Sequence, residues 1–253
     1  MSLVKVSQDG AVVTLTIDRP TAMNALNSEV LTELEEVIGN ISCRVAIITG
    51  AGTKAFVAGA DIAALAEMGP LEARAFSEMG QGVMKAISEA PFVTIAAVNG
   101  FALGGGCELA MACDLIYAAA NAKLGLPETN LGLIPGFGGT FNMVKRVGWQ
   151  RAAEMVLTGK MVDATAAKEM GLVLEVYSSD EFMTKVKETA QLIAKKGRHS
   201  ILAARRLIKG VEGDGREQSF LLERESFASL FASPEPREGT RAFLEKREPK
   251  FNA

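Results

Sequence analysis

Two glutamates stand alone in long uncharged stretches of this chain, a setting that suggests proton chemistry rather than solvation. Glu108 follows three glycines in Asn99-Gly100-Phe101-Ala102-Leu103-Gly104-Gly105-Gly106-Cys107-Glu108-Leu109. Glu128 lies in Leu124-Gly125-Leu126-Pro127-Glu128-Thr129, and the run continues through Ile134-Pro135-Gly136-Phe137-Gly138-Gly139-Thr140 without another charge. A carboxylate among apolar and small residues loses hydration, which raises its pKa toward the working range of an acid–base group. Two of them in neighbouring segments suit a reaction that takes one proton and returns another. Each also has a plainer reading. Glu108 would be a surface residue favoured by a helix N-terminus, and Glu128 the start of a turn after proline.

The glycines around Glu108 carry a second implication. Without Cβ atoms, the backbone at Gly104–Gly106 can approach a ligand closely. The first N–H groups of the following helix have no partner within it and form a site for an anion or developing oxyanion. Tight strand–helix packing is the competing explanation. A phosphate loop is excluded, because no Lys-Ser or Lys-Thr follows the glycines. Ala55-Phe56-Val57-Ala58-Gly59-Ala60-Asp61-Ile62 is a further segment of small residues exposing N–H groups, with Asp61 as N-cap or brace.

The single histidine, His199, sits in a Lys/Arg-rich stretch that begins a helix and reads as a solvated or cap-region residue. No Gly-x-Ser-x-Gly accompanies it, so acid–base work falls to carboxylates. Cys43, Cys107 and Cys113 form no Cys-x-x-Cys pair and read as reduced thiols of a cytoplasmic protein. No ligand cluster for a metal is visible, and no metal or redox cofactor is expected.

The elements that must position these groups are legible in the apolar pattern. Val4–Val6 and Ala11–Asp18 read as a hairpin turning at Asp9-Gly10. Arg44–Gly50, Phe92–Asn99 and Leu115–Ala119 are short, nearly continuous apolar runs, as expected of strands covered on both faces. Ser28–Ile38, a stretch around Leu71–Glu89, and Gly106–Ala112 read as helices between them, with Asn27 or Ser28 as the first N-cap. Alternation of this kind predicts βαβ crossovers and a mostly parallel sheet. From Trp149 onward the pattern is helical almost throughout: 150–158, 164–170, 180–195, 200–211, 216–231 and 236–246. The fold class is thus α/β, with a core over 1–197 and a helical C-terminal region over 198–253.

Bulk properties agree. The 253 residues are 48% hydrophobic and 23% charged, with net charge −3, so no global field attracts nucleic acid. The N-terminus has no signal-peptide pattern, and no apolar stretch is long enough for a membrane span.

Five ordered motifs make the chain resemble the crotonase, or enoyl-CoA hydratase/isomerase, superfamily. They are Arg-Pro-x3-Asn-Ala-Leu at 19–26, Ala-Gly-Ala-Asp-Ile at 58–62, Gly-Gly-Gly-Cys-Glu-Leu at 104–109, Pro127-Glu128, and Ile-Pro-Gly-x-Gly-Gly-Thr at 134–140. The resemblance spans nearly the whole chain. It implies a crotonase-like spiral of ββα units with a helical C-terminal trimerisation region, assembled as a homotrimer or as a hexamer of two trimers. It further implies an acyl-CoA thioester substrate whose carbonyl oxygen meets the N–H groups of Ala60 and Gly105. The glutamates typical of hydratases map onto Glu108 and Glu128. Coenzyme A would lie against Ala22, Met23, Ala25, Leu26, Ala58, Asp61 and Ile62, with Phe243 and Lys246 near its phosphates, often across a subunit boundary. One departure, Phe141-Asn142 where relatives often have Gln-Arg, bears on substrate range rather than reaction type.

The activity this implies is enoyl-CoA hydration, a lyase reaction of fatty acid β-oxidation type. The nearest rival is double-bond isomerisation of an acyl-CoA. A non-catalytic CoA- or RNA-binding relative is more distant, since RNA binding calls for a basic stripe with exposed aromatics. A peptidase of related fold lacks a Ser-His pair.

Overall fold

The computed structural model describes residues 2–210, 223–227, 229–230 and 232–251, with the Phe243 side chain left out. The expected helix over 216–231 therefore lies largely outside the described residues, although 223–227 are helical. The first hairpin is as anticipated: β1 (Val4–Asp9) pairs antiparallel with β2 (Val12–Ile17), and Gly10 takes the positive φ of the turn. Helix α1 (Ser28–Asn40) is capped by Asn27, whose side chain accepts the Val30 N–H.

The chain then repeats one motif. A long strand is followed by a three-residue strand and a helix. β3 (Val45–Gly50) leads to β4 (Ala55–Val57), α2 (Ile62–Ala66) and α3 (Pro70–Glu89). β5 (Val93–Val98) leads to β6 (Phe101–Leu103) and α4 (Gly105–Ala112). β7 (Leu115–Ala119) leads to β8 (Lys123–Gly125), a 3-10 turn (Pro127–Leu131) and α5 (Gly139–Val147). This is the expected coil of ββα units.

The long strands form a six-stranded sheet in the order β1-β2-β3-β5-β7-β10, parallel from β2 onward. β3 and β5 are buried at every position, which explains their nearly continuous apolar sequence, broken only by the buried Thr49 and Thr94. The short strands form a second sheet, β4-β6-β8-β9. Because β4, β6 and β8 are parallel neighbours, the segments leaving their C-terminal ends are brought side by side.

The C-terminal half needs one correction. Among α6 (Trp149–Thr158), α7 (Ala164–Glu169), α8 (Phe182–Ala194), α9 (Arg198–Gly210) and α10 (Glu235–Leu244) lie two strands. β9 (Met161–Asp163) and β10 (Glu175–Tyr177) complete the edges of the two sheets. Three residues are too few to show periodicity, and both strands depend on a preformed neighbour for their hydrogen bonds. The three cysteines are buried and free. His199 opens α9 with its ring mostly exposed and Nδ1 3.2 Å from Glu235, as a cap-region residue should be.

Candidate active site

Each parallel strand of the small sheet delivers one part of the site. Past β4 come Ala58, Gly59 and Ala60. Past β6 come Gly104 and Gly105, and past β8 comes Glu128. A Cβ added at Gly59 would lie 3.3 Å from the Leu103 carbonyl oxygen, and one at Gly104 would lie 3.9 Å from the Gly59 Cα, so the two lips touch. Gly59 has φ +112° and Gly104 φ +49°, backbone that favours glycine.

Hydrogen bonding sets the direction of the Ala60 amide. Leu26 N–H donates to the Gly59 oxygen at 2.9 Å, and Asp61 N–H donates to the Leu26 oxygen at 2.9 Å, a single parallel bridge. In that pattern the neighbours of Ala60 bond to Leu26, and its own N–H points to the other side. Gly105 is the first residue of α4, so its N–H has no acceptor within the helix. The two amides thus leave adjacent strand ends unclaimed by the local backbone pairing.

Glu108 is one turn into α4, a helix buried along its whole length, and is itself 1% exposed. The surface reading of this residue is therefore wrong. Its Oε1 accepts the Phe137 N–H at 2.8 Å and the Gly139 N–H at 2.6 Å. Burial pushes its pKa up to about 7; the two N–H donors pull the other way, and the negative charge of Glu128 adds to the rise. Burial also raises the pKa of Glu128 above the ordinary carboxylate range. Its Oε2 is buried with no hydrogen-bond partner among the described residues.

The two acids meet at the Gly104 turn, Glu128 through its carboxyl and Glu108 through its backbone. The position a Gly104 Cβ would take is 2.9 Å from Glu128 Oε1, and the Gly104 carbonyl accepts the Glu108 N–H at 3.0 Å. Gly139, on the far side, would place a Cβ 2.8 Å from Glu108 Oε1. Glycine at both positions leaves room for the acids.

The Arg19–Leu26 segment is held against this edge by residues to which sequence reading gave no role. Asn24 is 1% exposed with φ +58°, and its Nδ2 donates to the carbonyls of Ala51 at 3.0 Å and Ala55 at 2.8 Å. Its Oδ1 accepts the Arg19 N–H at 3.0 Å. Arg19 in turn donates to the Ala25 carbonyl at 2.6 Å and meets Asp61 at 3.3 Å. The asparagine itself was the available signal, since among residues with side chains it is one of those that best tolerate positive φ. Asp61 stands at the N-cap position of α2 but makes no side-chain cap bond; its carboxylate meets Arg19 instead and acts as the brace.

Ala22, Met23 and Ala25 are partly exposed, Leu26 is buried, Ala58 donates to the Met23 carbonyl at 3.1 Å, and Ile62 is exposed. These positions are brought together. Lys246 is not: it is exposed beyond α10, and among the described residues no hydrogen bond or ion pair joins it to this edge. The Phe243 side chain lies outside the described residues. Phe141 is exposed, with the Lys145 ammonium 4.4 Å from its ring centre.

The sequence model of the enoyl-CoA hydratase/isomerase family matches residues 7–253. The chain belongs to this family. It is 42% identical to the crotonyl-CoA hydratase of Syntrophomonas wolfei over 94% of this chain and 93% of that one. It is 40% identical to the short-chain-enoyl-CoA hydratase of Clostridium acetobutylicum, covering 96% and 95% of the two chains. The crystal structure of enoyl-CoA hydratase from Bacillus anthracis superposes with a TM-score of 0.96 at 36% identity, covering 99% of each chain. The fold of this family member is accordingly the crotonase fold, as the spiral of ββα units indicates.

Proposed function

We propose that the protein hydrates 2-enoyl-CoA thioesters to 3-hydroxyacyl-CoA, with Glu108 and Glu128 acting on one water molecule. The observation that carries this reading is the pair of pKa-raised carboxyls, close enough for the charge of Glu128 to act on Glu108, beside two amides free to receive an oxyanion. The thioester oxygen lies between the N–H groups of Ala60 and Gly105. Glu108 takes a proton from water as its oxygen bonds to the β-carbon, and charge moves onto the thioester oxygen. Glu128 then delivers a proton to the α-carbon as the enolate collapses. One proton passes between the carboxyls to reset the site, so the pair titrates as a unit. Atoms and charge balance without a metal or redox cofactor.

Preformed amide donors in a dry site are worth about 10²–10³-fold in rate each. Single-turnover hydration of crotonyl-CoA, followed by loss of ultraviolet absorbance, tests the scheme with Glu108→Gln and Glu128→Gln. Near wild-type rates in both variants would remove it. Faster shift of a 3-enoyl-CoA than hydration of the 2-enoyl isomer would favour isomerisation instead.

The coenzyme A moiety lies against Ala22, Met23, Ala25, Leu26, Ala58, Asp61 and Ile62, in keeping with their shared edge. Lys246 meets its phosphates from a neighbouring copy, in the segment that also carries Phe243, which accounts for the separation of Lys246 from the site within one chain. A homotrimer, or a hexamer of two trimers, would supply that neighbouring copy. Leu131, Ile134, Phe141, Trp149 and Leu157 are exposed large apolar side chains on 131–157 and supply contact surface. The core ends near residue 197, and the helices from 198 serve assembly in the cytoplasm. No helix among the described residues is long and apolar enough to cross a membrane.

A further inference from the structure

Helix α3 lies behind the loop that holds Glu108, and one of its faces grips a single peptide group. Phe76, Ser77, Gly80 and Gln81 share that face by helical spacing. The Ser77 hydroxyl donates to the Gly136 carbonyl at 2.6 Å, and the Gln81 amide donates to the same oxygen at 3.1 Å. The Phe76 and Phe137 rings meet edge-on, 5.3 Å apart at 63°. Any side chain at Gly80 would run into the Phe137 ring. Residues 136 and 137 are thus fixed by two hydrogen bonds, a ring contact and a missing Cβ.

The Gly136 carbonyl and the Phe137 N–H belong to one planar peptide group and point in opposite directions. That N–H is one of the two donors to Glu108 Oε1. A hydrogen bond accepted by the carbonyl draws electron density from the nitrogen and makes its N–H a stronger donor. It also fixes the rotation of the peptide plane, and with it the line along which the N–H points. We propose that Ser77, assisted by Gln81, is a positioning residue for Glu108, acting through the Gly136–Phe137 peptide.

The inference rests on the hydratase reading for its catalytic consequence, though not for its structural one. Among the described residues, the groups around the Glu108 carboxyl that bear on its charge state are few. Cys107 neighbours it on α4, Glu128 faces it from the 3-10 turn, and the Phe137 and Gly139 amides face it from the loop. The α3 side chains in contact with the loop are uncharged, so their influence passes through hydrogen-bond strength and geometry. A weaker Phe137 donor stabilises the carboxylate less, and the acid should hold its proton to higher pH.

Ser77→Ala should lower kcat for crotonyl-CoA about 3- to 10-fold while KM stays within about twofold, the effect expected when one partly buried hydrogen bond is lost. The acidic limb of the pH–rate profile should move to higher pH. Ser77→Thr, which keeps the hydroxyl, should restore both. The second readout needs no activity: infrared titration of the Glu108 carboxyl, identified by its loss in Glu108→Gln, should shift upward in Ser77→Ala. An unmoved carboxyl titration in Ser77→Ala would overturn the proposal, as would equal losses in the Ala and Thr variants. Failure of the wild-type protein to hydrate crotonyl-CoA would instead overturn the functional reading, and the infrared titration would still decide the role of Ser77.

Discussion

Helix α4 has a buried or nearly buried acid at each end, and the two are kept in opposite ways. Glu108, in the first turn, is held by two neutral N–H groups and has a second carboxyl as its nearest charge. Asp114, just past the last turn, is held by cations. Arg205 Nε lies 2.7 Å from Oδ2 and Lys209 Nζ lies 2.8 Å from Oδ1, while the Thr94 N–H and hydroxyl also donate to Oδ2. Arg205 further donates to the Ala90 and Ser88 carbonyls, so Asp114 ties α9 to the end of α3 and the head of β5. The difference separates roles. An acid fixed to cations holds chain segments, whereas one denied a cation and buried can exchange a proton near neutral pH.

The largest expected effects come from the acid without a cation. Glu108→Gln and Glu128→Gln should each lower kcat about 10²–10⁴-fold, the range for losing a general acid or base. Thermal unfolding should show neither to be less stable than wild type by more than a small margin, because an amide costs less to bury than a carboxylate. A stability loss comparable to that of an Asp114 variant would break the contrast. Gly104→Ala should come next, with kcat down about 10²-fold. The added methyl meets Glu128 Oε1 on backbone of positive φ, so the carboxyl must move.

Stability should depend on pH through Glu108 in a definite direction. Its folded pKa, about 7, stands above the ordinary carboxylate value of 4.5. The folded state therefore holds the proton more tightly, and the stabilisation is complete below the unfolded pKa. It is lost as pH rises through the folded value. Glu108→Gln cannot titrate, so its stability relative to wild type should grow between about pH 4.5 and pH 7, then level off. The gain should be at most about 3 kcal/mol. Denaturant midpoints across that range measure it, and a flat difference would mean that the carboxyl is not buried in charged form. Asp114→Ala should do the reverse. It leaves Arg205 and Lys209 without their acid and should cost about 3 kcal/mol, with turnover by the surviving folded enzyme near wild type.

Much of this was legible in the sequence because burial leaves marks there. The long strands β3, β5 and β7 announce themselves as apolar runs covered on both faces, and the two glutamates by their isolation within such runs. Strands of the small sheet do not, since Ala55–Val57 and Phe101–Leu103 are shorter than any period they could display. The partners of Glu108 are equally silent: Phe137 and Gly139 act through backbone amides, which every residue type except proline provides. Asn24 lay inside a recognised motif, but its bonding depends on carbonyls of Ala51 and Ala55 that only the folded chain brings to it. The Asp114–Arg205 pair spans 91 positions and has no local pattern at all.

Asp61 offers the finest test of the contrast, because it combines features of both ends of α4. It lies beside the amide of Ala60, within the candidate site, yet it has a cation: Arg19 Nη2 is 3.3 Å away, and the two side chains are only partly exposed. If a cation partner marks an acid as structural, Asp61 should position the Arg19–Leu26 segment and leave proton transfer alone. Asp61→Asn should then raise KM for crotonyl-CoA about 2- to 5-fold while kcat stays within about twofold, since a partly exposed pair is worth under about 1 kcal/mol. Arg19→Lys should do the same, because one ammonium cannot reach both Asp61 and the Ala25 carbonyl as the planar guanidinium does. If Asp61→Asn instead slowed turnover by about 10²-fold or more, as loss of a general acid or base does, and altered the pH–rate profile, proximity to the reacting atoms would outweigh the presence of a cation. The rule drawn from Glu108 and Asp114 would then hold only for acids at opposite ends of a helix, not for neighbours within one site.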